Sequence, residues 1–193
     1  AKAFAEKGKR LPIMVQASFD QDNGNQMLTG SDPSAFVSAI GAFSQVDVLG
    51  VNCAFGPTEL TESVRYIAEH FPRFVSALPN AGLPIMVDGK THFPMNPIDF
   101  SKGIERYVRD YGVNVVGGCC GTMPEHLASV VERLNPRGVR VAPRRRSVVP
   151  VPQISSLISA EDIRQDNSYL IVAERNNTNG SKKFRELLQA EDW

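Results

Sequence analysis

Between Leu11 and about Leu134, short apolar runs alternate with amphipathic stretches of helical period, and the pattern predicts four successive strand–loop–helix units. Residues 11–17 read as a buried strand, and residues 33–43 as a helix opened by Asp32 or Ser31. A second strand is expected over 46–52. The helix after it, 57–71, carries Leu60, Val64, Ile67, Ala68 and Phe71 on one face and is ended by Pro72. The third strand, 74–78, leads into the turn Pro79-Asn80-Ala81-Gly82, a long polar segment and a helix over 97–111 that Gly112 closes. The fourth strand spans 113–116. Thr122-Met123-Pro124-Glu125 then has the form of a capping box, ahead of a helix with Leu127, Val130, Val131 and Leu134 on its inner face.

Such alternation implies a parallel sheet with right-handed crossovers, either doubly wound or a (βα) barrel. Cysteine placement favours the barrel. Cys53 ends the second strand and Cys119-Cys120 end the fourth, so both groups sit at the carboxyl edge, where a curved rim lets non-adjacent strands converge. Four units make half a barrel.

Beyond Asn135 the periodicity dissolves, and residues 137–168 read as a linker with short helical stretches at most. Its Arg144-Arg145-Arg146 triplet is expected in solvent or against a neighbouring acidic surface. Residues 169–173 restart a strand, 174–181 form a polar loop and 182–190 a short amphipathic helix: the first βα unit of a second domain. The chain begins without methionine and stops directly after that helix, as expected of a piece of something longer.

Lysine plus arginine equal aspartate plus glutamate, 21 against 21, so no net field draws the chain to nucleic acid or anionic lipid. No apolar run approaches the roughly 20 residues of a membrane helix, and the N-terminus lacks the apolar centre of a secretory signal. A cytoplasmic setting follows as the expectation. Three cysteines, an odd and sparse number, do not form a secreted disulfide framework and suit a reducing compartment.

Neighbouring side chains of a strand point to opposite faces, so Cys119 and Cys120 can share one ion only where the strand has ended. Gly117, Gly118 and Gly121 supply that departure. Three thiolates suit zinc, which prefers sulfur and nitrogen in tetrahedral array and keeps a free place in reactive sites. Their charge exceeds that of Zn²⁺ by one, which makes the centre a weak generator of hydroxide but an electron-rich host for a substrate thiol. A coordinated thiol is deprotonated, so alkyl transfer to sulfur is the natural reaction. Three cysteines buried as small apolar residues, or a strained vicinal disulfide, are the alternatives on spacing alone.

Gly50-Val51-Asn52-Cys53, Pro79-Asn80-Ala81-Gly82-Leu83-Pro84 and Gly117-Gly118-Cys119-Cys120-Gly121-Thr122-Met123-Pro124-Glu125-His126 resemble, in order, the signatures of the homocysteine S-methyltransferase family, over roughly residues 10 to 136. The resemblance implies the second half (strands 5–8) of a (βα)8 TIM barrel, with Cys53, Cys119 and Cys120 as zinc ligands for homocysteine. It also implies that Asn80 can lend its side-chain oxygen to zinc when substrate is absent; an Asx-turn is the local alternative. Asn52 either orients Cys53 or caps a turn, and both asparagines are candidates for substrate contact. His126 reads as local structure, and His70 and His92 have no recognisable partner.

Residues 173–184 resemble the opening of the pterin-binding domain of the cobalamin-dependent methionine synthase family, with Asn177 and Asn179 as pterin-contacting candidates. Ala173 and Asn176 depart from that family's usual Gly-Glu-Arg-Thr-Asn. The domains expected are thus 1–136 for the partial zinc domain, 137–168 for the linker and 169–193 for the start of a second barrel. The implied reaction moves a methyl group from methyltetrahydrofolate by way of cobalamin to homocysteine, giving methionine; this chain alone is expected to be inactive, because the corrinoid-bearing domain lies elsewhere. Betaine or S-methylmethionine as donor, and a zinc site without catalysis, are the competing readings.

Overall fold

The computed structural model describes residues 8, 10–167, 169 and 178–192. Its contacts divide the chain into one unit through Glu161 and a second from Asp162 onward.

In the first unit, β1 (Met14–Ala17), β2 (Val48–Asn52), β3 (Phe74–Leu78) and β6 (Val115–Val116) form one parallel sheet in the order β1-β2-β3-β6. Helices α1 (Pro33–Gly41), α2 (Thr61–His70) and α3 (Pro97–Tyr111) make the crossovers, and α4 (Pro124–Leu134) follows the last strand. The order never reverses. A doubly wound sheet would reverse at its switch point, whereas a sector of an α/β barrel advances one strand at a time.

The register places Val15, Leu49 and Val75 on one face, with Ala17, Val51, Ala77 and Val116 two positions on. Leu49, Val51, Val75 and Ala77 are fully buried there with Val64 and Ile67 of α2 and Phe100, Ile104 and Tyr107 of α3. The opposite face aligns Gln16, Gly50, Ser76 and Val115. Gln16 reaches across Gly50 to donate a 3.0 Å hydrogen bond to the Ser76 hydroxyl. A Cβ at Gly50 would lie 2.1 Å from both the Ser76 hydroxyl and carbonyl oxygens, so the position admits only glycine. The two faces differ accordingly: one is apolar and helix-covered, while the other carries a polar, close-packed row at Gln16, Gly50 and Ser76.

Local signals explain the helix ends. Asp32 accepts from the Ala35 amide and Asn96 from the Asp99 amide, each ahead of a proline in the first turn. Gly112 closes α3 in the left-handed conformation, as expected. Elsewhere the structure departs from the pattern. Pro57 to Leu60 form a turn, and α2 starts at Thr61. The Thr122–Glu125 capping box is not made: Met123 occupies the cap, and its amide donates to the ring of His126, 3.1 Å away. Competition from a buried imidazole three residues on decides this. The polar segment before α3 holds an antiparallel hairpin of β4 (Ile85–Val87) and β5 (Lys90–His92), turned by Asp88 (φ 50°) and Gly89 (φ 73°).

The segment after α4, through Glu161, packs within the first unit. A short 3-10 turn, Pro136–Gly138, precedes a strap in which the Arg144 amide donates to the Val108 carbonyl. Arg146, expected in solvent, is half-buried instead. Its guanidinium donates to the carbonyls of Ala68 and Phe71, both at 2.8 Å, and to that of Arg73. Carbonyls left unpaired where α2 ends need donors, and a guanidinium fork supplies several at once. The strap ends in the paired strands β7 (Gln153–Ser155) and β8 (Ala160–Asp162), next to α1, where the Asp32 amide donates to the Ile158 carbonyl.

In the second unit, Ser181 caps α5 (Lys182–Gln189) by accepting from the Phe184 amide. The expected strand over 169–173 falls, apart from Tyr169, outside the described residues, as does Asn177. Asn179 lies in the turn before α5.

Candidate metal centre

Three loops at the carboxyl edge of the sheet build the site. The first begins where β2 stops abruptly: Cys53 (φ 61°) and Ala54 (φ 63°) both take the left-handed conformation. Two adjacent non-glycine residues in that region cost on the order of 1 kcal/mol or more each, a strain that clusters at functional sites. The Cys53 amide donates to Leu78 at the end of β3, which ties the first loop to the second.

The second loop carries Asn80, 3% exposed, whose amide donates to Phe55. Its side-chain oxygen accepts from the Cys120 amide at 3.0 Å. The third loop is the glycine-flanked doublet. Here the Cys119 amide donates to Pro79, and the Cys120 carbonyl accepts from Ala81 at 2.9 Å. Gly121 (φ 72°) faces the Phe93 side chain so closely that a Cβ would lie 2.2 Å from it. The doublet thus sits in a turn beyond β6, as its flanking glycines required.

These constraints converge the three sulfurs. Cys53 Sγ lies 3.6 Å from Cys120 Sγ, Cys119 Sγ lies 3.9 Å from Cys120 Sγ, and all three fall within 4.8 Å of one another. Sulfurs bound to one tetrahedral zinc at about 2.3 Å stand about 3.8 Å apart, so two of the three edges already match the spacing that ion demands. No disulfide joins them. Cys53 and Cys119 are half-buried and Cys120 is exposed, which leaves the cluster open to solvent on one side.

The thiols are not equivalent. Burial opposes ionisation of Cys53, but hydrogen bonds from the Ala54 amide and from the Cys120, Cys119 and Asn80 side chains outweigh it and lower its pKa. The Cys120 thiol, donating toward Cys53 and Cys119 and then facing their charge, is pushed up to about 11. A divalent cation resolves that conflict by stabilising all three thiolates.

Of the other candidates, Asn52 is half-buried at the end of β2, and its backbone carbonyl accepts from the Ser18 hydroxyl. Phe93, which packs on the doublet's turn, went unnoticed in the sequence; the Asp88-Gly89 hairpin signal marks the segment that delivers it. His126 is buried and serves the loops rather than the sulfurs.

The homocysteine S-methyltransferase family profile matches residues 1–134. The whole chain is 36% identical, over 199 aligned residues, to the methionine synthase of Mycobacterium leprae, and 34% identical, over 192, to that of Mycobacterium tuberculosis. It spans 16% of the length of each relative. With two-thirds of its length matched by the profile and the three cysteines gathered at one sheet edge, the chain belongs to the homocysteine S-methyltransferase family.

Proposed function

We infer that Cys53, Cys119 and Cys120 hold zinc and that the whole protein methylates the thiol of homocysteine to give methionine. The observation that carries this reading is the spacing of the three sulfurs, 3.6 and 3.9 Å along two edges, at an edge open to solvent. Zinc bound there supplies positive charge that keeps an entering thiol deprotonated and still nucleophilic at neutral pH. The chain's own residues do the rest of the work at this edge. The cysteines orient the approach, and Asn80 holds the Cys120 backbone in place while hydrogen-bonding toward Cys53. In the transfer itself a sulfur–carbon bond forms as the donor–methyl bond breaks, and the thiol proton has left beforehand.

Asn80 can lend its oxygen to the ion only by releasing the Cys120 amide, which makes it a displaceable ligand at best. Within this reading the parallel sheet is strands 5–8 of a (βα)8 barrel, and the donor is methyltetrahydrofolate acting through cobalamin on other domains. The mycobacterial methionine synthases support that donor over betaine or S-methylmethionine, because the likeness runs through residues 135–193 as well. Asn179, and Asn177 with it, belong in this proposal to the opening of a pterin site.

Metal analysis of the intact protein tests the reading. About one zinc per chain is expected, lost in Cys119→Ser, with sulfur ligation rising from three to four by X-ray absorption when homocysteine is added. An unchanged coordination shell rejects a substrate thiolate at the metal.

A further inference from the structure

His126 lies outside the sulfur cluster yet joins two of the three loops that make it. We propose that His126 is a positioning residue for the metal centre, closing a ring of hydrogen bonds that holds the Cys119-Cys120 turn against the Asn80 loop; this rests on the metal-binding reading above.

The ring can be followed atom by atom. The Cys120 carbonyl accepts from the Ala81 amide at 2.9 Å, and the Ala81 carbonyl accepts from the Met95 amide at 3.1 Å. The Met95 carbonyl accepts from His126 Nε2 at 2.9 Å. His126 Nδ1 accepts from the Met123 amide at 3.1 Å, three residues beyond Cys120, and the chain closes the circuit. An amide can only donate and a carbonyl only accept, so the imidazole is the neutral tautomer with its proton on Nε2. Phe100 meets the ring edge-on, its centroid 5.5 Å away, and fixes its plane. The side chain is 7% exposed, too little for solvent to take over either bond freely.

A cap for α4 needs only the Met123 bond. The Met95 bond is different in kind, since it reaches 31 residues back along the chain to the end of the segment that packs Phe93 on Gly121. Slack in that bond lets the turn and the Asn80 loop separate, and the sulfurs lose their common focus. Outer partners of this sort commonly change metal affinity by 10–100-fold when removed.

Cobalt(II) binding to the intact, metal-free protein provides the test, because its sulfur-to-metal charge-transfer bands report ligand geometry. His126→Phe, which keeps an aromatic ring and loses both bonds, is expected to weaken cobalt binding by about tenfold and alter those bands. His126→Asn should do the same while folding normally, because a shorter amide reaches the Met123 amide but not the Met95 carbonyl. His126→Gln has the reach and the donor–acceptor pair for both, and should return affinity to within roughly threefold of the parent. Parent-like affinity and spectrum in His126→Asn overturn the proposal, as do losses that track the melting temperature of the metal-free variants instead of the Met95 bond. A parent protein that binds no cobalt through sulfur removes the metal reading and this inference with it.

Discussion

Truncating Asn80 to alanine removes two restraints on the metal centre at once. The Cys120 amide loses its 3.0 Å acceptor, and the Cys53 sulfur loses a hydrogen-bond partner. Asn80 is 3% exposed, so water cannot simply replace the missing oxygen. A buried amide left without an acceptor costs about 1–3 kcal/mol. If that cost falls on ligand placement, it corresponds to a loss of roughly 5- to 150-fold in zinc affinity, at about 1.4 kcal/mol per decade. Competition with a chromophoric chelator measures the affinity, and thermal melting of the metal-free protein separates it from general destabilisation. The measurement is made with and without homocysteine. Weakening in both states marks Asn80 as a support for the cysteines; weakening confined to the substrate-free state marks its oxygen as a ligand that substrate displaces. Asn80→Ala with unchanged zinc affinity in both states refutes the reasoning.

Two further outcomes concern the scaffold. Arg146→Ala removes the donor shared by the carbonyls of Ala68, Phe71 and Arg73 and should lower the melting temperature by about 5–10 °C, with Arg146→Lys recovering little because an ammonium cannot reproduce the fork; an unchanged melt counts against the strap as a stabilising element. Asp47 accepts from the Ile13 amide at 2.8 Å and from Arg10, and these bonds, the Ile13 amide first, lower its pKa below the ordinary 3.8. A depressed folded-state pKa contributes stability that is present above the ordinary value and lost as pH falls through the folded one. Asp47→Asn should therefore melt below the parent at neutral pH and converge with it in acid; a gap that stays constant across the range contradicts the assignment.

Much of the local structure was legible in the residues. Strand 74–78 and helix 97–111 have the bounds the pattern predicts, because Pro72 ahead of a mostly apolar run and the Pro79 turn after it in the first case, and Pro97 and Gly112 in the second, act on the backbone within a few positions. The departure of Cys119 and Cys120 from the strand was legible for the same reason: their flanking glycines are local. The hairpin at 85–92 also had a local signal in Asp88-Gly89, but its two strands are short and exposed, so periodicity hid it.

What tertiary structure alone decided lies between segments distant in sequence. Nothing near Thr122 announces that a buried His126 will take over the cap of α4, since the imidazole is held from its other side by Met95. The arginine triplet looks solvated until the end of α2 and the short loop after it present unpaired carbonyls to Arg146. Cys53 supplies its sulfur only because β2 ends in two left-handed residues and pairs beside β3, whose rim loop also holds the doublet. By itself, then, the sequence determined which side chains could bind a soft metal and that strands and helices alternate; the fold determined that three sulfurs meet. Backbone preferences act over a few residues, whereas convergence depends on strand order and on hydrogen bonds between loops, which no short window of sequence contains.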